Sequence, residues 1–84
     1  MEKLTSNYRI KAFGVTREIF GAREITVSCA GQTVAALKEA LYTKYPPLSD
    51  LRSIFIAVNS TYADDQHLIH ETDEIAIIPP VSGG

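Results

Sequence analysis

Thr33-Val34-Ala35-Ala36-Leu37-Lys38-Glu39-Ala40-Leu41-Tyr42-Thr43-Lys44-Tyr45-Pro46-Pro47 is the stretch on which the fold turns. Val34, Leu37, Leu41 and Tyr45, with Ala40 beside them, recur at spacings of three and four, which lays them along one face of a helix. Ala35, Ala36, Lys38, Glu39 and Lys44 suit a helix as well. Thr33 is placed to cap it, its hydroxyl accepting a bond from an unpaired amide of the first turn. Pro46-Pro47 ends it, because proline lacks the amide and clashes with the preceding turn. A helix with one apolar face needs a flat layer to bury that face against.

The flanks supply that layer. Upstream, Tyr8 to Val15 alternates, with Tyr8, Ile10 and Ala12 on one face and Arg9 and Lys11 on the other, and Gly14 relaxes the strand near its end. Arg23 to Cys29 alternates again, with Ile25, Val27 and Cys29 inward. Thr16 to Ala22, which contains Gly21, reads as a longish hairpin connection between the two. Downstream, Leu48 to Ser53 reads as an irregular or single-turn connector. The β-branched run Ile54-Phe55-Ile56-Ala57-Val58 suits a strand buried on both faces. Asn59-Ser60 is a turn signal, and Thr61-Tyr62-Ala63 a short return strand. Asp64 to Asp73 is polar and loop-like, with Leu68 and Ile69 as anchors into the core, and Glu74 to Ile78 is the last strand.

The order is strand, strand, helix, strand, short strand, strand. One helix covering one sheet face makes a two-layer α+β domain. The connection from the second strand through the helix is long enough to cross over to a parallel partner. A mixed sheet clasping one main helix is the β-grasp, or ubiquitin-like, arrangement. The expected division is a β-grasp domain over residues 1–78 and an extended, flexible tail over 79–84.

Composition narrows the function. The chain has 84 residues, with eight Lys and Arg against ten Asp and Glu, a net charge of −2. That is room for one domain. The cations are spread over most of the sequence, which argues against nucleic acid. Asp64, Asp65, Glu71, Asp73 and Glu74 put half of the acids into one segment, either a solvated loop and strand edge or a face for a basic partner. The longest apolar stretch, Ile75 to Val81, is far below the ~20 residues needed to span a bilayer. Met1-Glu2-Lys3-Leu4 lacks the apolar core of a secretion signal. Cys29, the single cysteine, allows neither an internal disulfide nor a cysteine metal cage. The expectation is a soluble cytoplasmic protein without a membrane partner.

The carboxyl end carries the chemistry. In Pro79-Pro80-Val81-Ser82-Gly83-Gly84 the two prolines cannot donate ladder bonds, so they end the strand and send the chain off extended. Six extended residues reach at most ~20 Å, enough to enter a pocket on another protein. Gly83 and Gly84 leave the final carboxylate sterically unfenced, and glycine there costs entropy rather than adding stability. A bare carboxylate on a slim tail can attack the α-phosphate of ATP on an activating enzyme, giving an acyl-adenylate and pyrophosphate. An amine that then takes the acyl carbon gives a conjugate; a sulfur nucleophile gives a terminal thiocarboxylate.

Asp73-Glu74-Ile75-Ala76-Ile77-Ile78-Pro79-Pro80-Val81-Ser82-Gly83-Gly84 resembles the terminal signature of the small, sulfur-carrier subunit family of molybdopterin synthase. Phe13, Arg17-Glu18 and Gly21 resemble that family's first strand and following loop; Thr33-Val34 fits its helix start and Ala57-Val58-Asn59 its third strand and turn. Thr72 stands where the family often has Gly, and Ser82 where it often has Thr. The resemblance implies a β-grasp protein with no active site of its own and no bound cofactor. Its Gly84 is adenylated with ATP by a partner related to ubiquitin-activating enzymes and converted to a thiocarboxylate. The tail, Pro79, Pro80, Val81, Ser82 and Gly83, then enters the large synthase subunit, in a heterotetramer, and gives sulfur to a pterin precursor. Sulfur delivery to thiazole for thiamine, to transfer RNA or to an amino acid, a ubiquitin-like protein modifier, and a regulatory binding domain are the alternatives.

Other residues carry weaker signals. His67 and His70 lie three apart but lack further ligands, so no metal is expected. Cys29 reads as a small buried hydrophobe. Ser82 has no histidine nearby, so backbone docking suits it better than nucleophilic attack. Phe13, Phe55 and Tyr62 are either core residues or the apolar part of a partner surface. Arg17 and Glu18 are either a loop ion pair or part of that surface, and Asp73 and Glu74 either a solvated edge or docking residues.

Overall fold

Five strands and two α-helices follow one another along residues 5–51 and 53–79, the part of the chain that the computed structural model describes. They are β1 (Ser6–Ala12), α1 (Val15–Phe20), β2 (Glu24–Cys29), α2 (Val34–Lys44), β3 (Phe55–Val58), β4 (Thr61–Ala63) and β5 (Ile75–Ile78), with a 3-10 turn over Pro46–Asp50. The strands form one sheet in the order β2-β1-β5-β3-β4. β1 and β2 are antiparallel, in register from Ser6↔Cys29 to Lys11↔Glu24. β5 lies in the middle, parallel to β1 through Ile10↔Ile75 and Ala12↔Ile77, and antiparallel to β3 through Phe55↔Ile78 and Val58↔Ile75.

The period of two decides which side chains meet the helix. Tyr8, Ile10 and Ala12, Val27 and Cys29, Ile56 and Val58, and Ile75 and Ile77 are all buried, and they form one core with Val34, Leu37 and Leu41 of α2. Thr33 caps α2 as its sequence predicts, Oγ1 accepting from the Ala36 amide at 3.2 Å. The loop after β4 completes the cap, since the carbonyls of His67 and Asp65 accept from the amides of Val34 and Ala35, each at 3.0 Å. Every first-turn amide of α2 therefore has a partner, with the Leu37 amide reaching the Thr33 carbonyl. Pro46 and Pro47 end α2 and open the 3-10 turn, two residues earlier than the connector expected from Leu48.

Four readings are corrected. The stretch expected to be a plain hairpin connection folds into α1 from Val15 to Phe20. Thr16 is fully buried there, its hydroxyl accepting from the Phe13 amide at 2.9 Å and donating to the Phe13 carbonyl. Gly21 closes this helix in the left-handed region (φ 72°), its amide bonded to the Arg17 carbonyl at 2.8 Å. The parallel pair is β1 with β5, not the two strands flanking α2, because β5 fills the space between the hairpins. Burial on both faces holds for Ile56, Ala57 and Val58, whereas Phe55 is 48% exposed. Of the two expected loop anchors only Ile69 is buried; Leu68 is 58% exposed, because the Thr33↔Leu68 bridge turns successive side chains to opposite sides.

Candidate functional site

The strand that leads to the tail is the central one of the sheet. β5 is hydrogen-bonded on both sides and ends at Ile78. Pro79 then packs over Gly14, where a Cβ would lie 3.1 Å from Pro79 Cγ. Gly14 has φ +59° and ψ −137°, a conformation that side-chain-bearing residues rarely adopt. The turn after β1 thus makes a floor for the root of the tail.

The start of β5 is held just as firmly. Asn59 and Ser60 both have positive φ, 53° and 72°, and link β3 to β4 as a two-residue turn of the kind that matches strand twist. The Asn59 amide donates to the Glu74 carbonyl at 2.7 Å, its side-chain oxygen accepts from the Glu74 amide at 3.0 Å, and its Nδ2 donates to Asp73 Oδ1 at 3.1 Å. Asp73 Oδ2 also accepts from the His70 amide at 2.8 Å. These bonds, the His70 amide first and Asn59 second, hold the Asp73 carboxyl below its ordinary value. Glu74 accepts from Lys11 Nζ at 2.6 Å, which lowers the Glu74 pKa and raises that of Lys11.

Away from α2, the sheet presents an apolar face. Phe13, Ala57, Tyr62, Ala76 and Ile78 line a shallow cavity of about 340 Å³, rimmed by Lys11 and Glu74. Phe55 pairs with Ile78 in register and meets the Tyr62 ring edge-on, centroids 5.9 Å apart. Arg17 lies 5.7 Å over the Phe13 ring and donates Nε to the Ala12 carbonyl at 3.1 Å.

The candidate docking residues therefore separate. Phe13, Phe55, Tyr62 and Glu74 share the open face, and Arg17 flanks it by stacking on Phe13. Asp73 does not join them, because its oxygens are engaged by the His70 amide and by Asn59 of the β3–β4 turn. Glu18 is exposed on α1, and among the described residues it forms no ion pair with Arg17. Pro79 lies at the root of the tail, while Pro80, Val81, Ser82, Gly83 and Gly84 lie outside the described residues. Among the described residues no three His, Cys, Asp or Glu gather to hold a metal, and no helix is long and apolar enough to cross a membrane. Cys29 is buried in the core.

Sequence reasoning placed Lys11 on the outer face of the first strand, Gly14 near its end and Asn59 in a turn, without their long-range contacts. Lys11 becomes visible only through its register with Ala76, and Gly14 only through its contact with Pro79. For Asn59 a signal existed, since Asn tolerates left-handed backbone at a two-residue turn.

The chain matches the model of the ThiS family over residues 10–84. It is 37% identical over 84 residues to the molybdopterin synthase sulfur carrier subunit of Arabidopsis thaliana, covering 95% of this chain and 88% of that one. To the human protein of the same name it is 41% identical over 78 residues, covering 86% and 88%. The solution structure of small archaeal modifier protein 1 from Methanosarcina acetivorans superimposes with a TM-score of 0.77 at 29% identity, covering 95% of this chain and 98% of that one. That protein, like this chain, joins a mixed sheet to one main helix, the arrangement expected of a β-grasp. This chain belongs to the ThiS family of ubiquitin-like β-grasp proteins, alongside the molybdopterin synthase sulfur carrier subunits.

Proposed function

We propose that the chain is the sulfur carrier of a molybdopterin synthase, with Gly84 as its charged end. The observation that carries this reading is the match, over nearly the whole chain, to relatives that bear that name. The chemistry follows from the tail. The Gly84 carboxylate attacks the α-phosphate of ATP on an adenylating partner and pyrophosphate leaves. A sulfur nucleophile takes the acyl carbon, AMP departs, and a thiocarboxylate results. Its sulfur passes to a pterin precursor inside the large subunit, which Pro79, Pro80, Val81, Ser82 and Gly83 enter in an extended form. The carrier supplies no active site of its own, and it binds no cofactor; ATP belongs to the activating partner. A cytoplasmic location fits partners of this kind, and two carriers with two large subunits make the resting synthase.

The open sheet face is the docking surface in this reading. Phe13, Phe55 and Tyr62 are large and exposed, and they lie beside Ile78 at the end of β5 from which the tail departs. Aromatics of this kind dominate interface centres. Core burial explains none of them, so a partner surface is the reading that uses them.

Mass spectrometry of protein purified from its own cells tests the carrier chemistry. Replacement of one oxygen by sulfur at Gly84 is the expected result, and isopeptide-linked species in its place would establish a modifier. Deleting Gly84 abolishes sulfur transfer and leaves the fold unchanged; loss of the fold would make the tail structural.

A further inference from the structure

The two ends of β5 differ in charge pairing. At its start the acids Asp73 and Glu74 share a cavity with the cations Arg9 and Lys11; at its end, where the tail departs, lie Arg17 and Arg23. The two arginines flank the last residue of β1. Arg17 donates Nε to the Ala12 carbonyl at 3.1 Å, and the Arg23 carbonyl accepts from the Ala12 amide at 2.8 Å. Together with Lys11, Ala12, Phe13 and Glu24 they line a cavity of about 310 Å³. The other charges there are balanced, since Lys11 pairs with Glu74 at 2.6 Å and Glu24 lies 3.8 Å from Arg9. Neither Arg17 nor Arg23 forms an ion pair among the described residues, and both are exposed. Arg17 is also held in place, with Nε bonded and the guanidinium laid 5.7 Å from the centre of the Phe13 ring, so a partner that bonds its remaining N–H groups orders it at little entropic cost. A chain of net charge −2 thus concentrates unneutralised cations beside the root of its tail.

From this arrangement we infer that Arg17 and Arg23 dock against carboxylates at the mouth of the channel that takes the tail on the large subunit. The inference rests on the reading of the chain as a synthase carrier. It assigns a role to Arg23 and a chemistry to the partner surface.

The test is the affinity of the full chain for its large subunit, by calorimetry, at low and high sodium chloride. Wild type weakens as salt rises. Arg17→Glu and Arg23→Glu each weaken binding at low salt by about tenfold, and the double variant R17Q/R23Q flattens the salt dependence. Lys44→Glu, on the helix side, changes affinity less than about twofold. Arg23 makes no side-chain hydrogen bond among the described residues, so R23E carries the test if loss of the Ala12 bond unfolds the Arg17 variant. Binding that ignores salt and both reversals overturns the acidic-partner inference alone. A wild-type chain that binds no large subunit overturns the carrier reading with it.

Discussion

Pro79 rests on Gly14 so closely that a methyl group on Gly14 would come within 3.1 Å of the proline ring. Contact and backbone act together there, because φ is +59° and ψ −137°. Gly14→Val should cost about 2 kcal/mol or more and push the root of the tail aside. Gly21→Ala is the comparison: φ is +72° but nothing lies within 4 Å, so about 1 kcal/mol is expected. Urea unfolding of both variants measures the difference. Equal losses would mean that the Pro79 contact contributes nothing.

Asn59 joins the β3–β4 turn to the start of β5 by two side-chain bonds and one main-chain bond. Asn59→Ala removes the side-chain bonds and leaves alanine at φ +53°, at a cost of about 2 kcal/mol. Asn59→Gly keeps the backbone at ease and should cost about half as much. Chemical denaturation separates the two, and identical losses would assign the whole effect to the side-chain bonds.

Asp73 sets an acid limit. Its folded pKa lies below the unfolded one, because the His70 amide and then Asn59 bond the charged form. The stability it contributes is complete above the unfolded value of about 4 and disappears as pH falls through the lower folded value. Asp73→Asn keeps one acceptor and cannot titrate. Its melting temperature should therefore change less than that of wild type between pH 5 and pH 3. Glu74 is lowered in the same direction by Lys11, so some acid dependence persists in the variant.

The open face predicts a split between binding and folding. Phe55→Ala and Tyr62→Ala, made together, should weaken large-subunit binding by about 2 kcal/mol or more. Both side chains are substantially exposed, so stability should change by less than about 1 kcal/mol. Titration against the large subunit, alongside a thermal melt, reads both quantities; a matching loss of stability would make the pair structural.

Periodic features were legible in the sequence and contacts between distant segments were not. α2 announced itself by its three-and-four spacing, its Thr33 cap and its two prolines, and each strand by alternation or a β-branched run. α1 did not, because six residues are too few to display a helical period and the burial of Thr16 at its start is a tertiary fit. Leu68 and Ile69 are equally apolar neighbours, and only the bridge to Thr33 decides which one faces inward. Ile69→Ala should accordingly cost about 2–4 kcal/mol in urea unfolding and Leu68→Ala less than about 0.5. At the candidate site, residue types singled out the aromatics and Arg17, and the structure places them exposed near one another. The separation of Asp73 from Glu74 needed the turn geometry of Asn59.

The strand made last by the ribosome is the one that sits third of five across the sheet. A nascent or truncated chain without Ile75–Ile78 holds two hairpins with nothing to zip them together. Loss of that one segment therefore opens the sheet down its middle instead of trimming an edge.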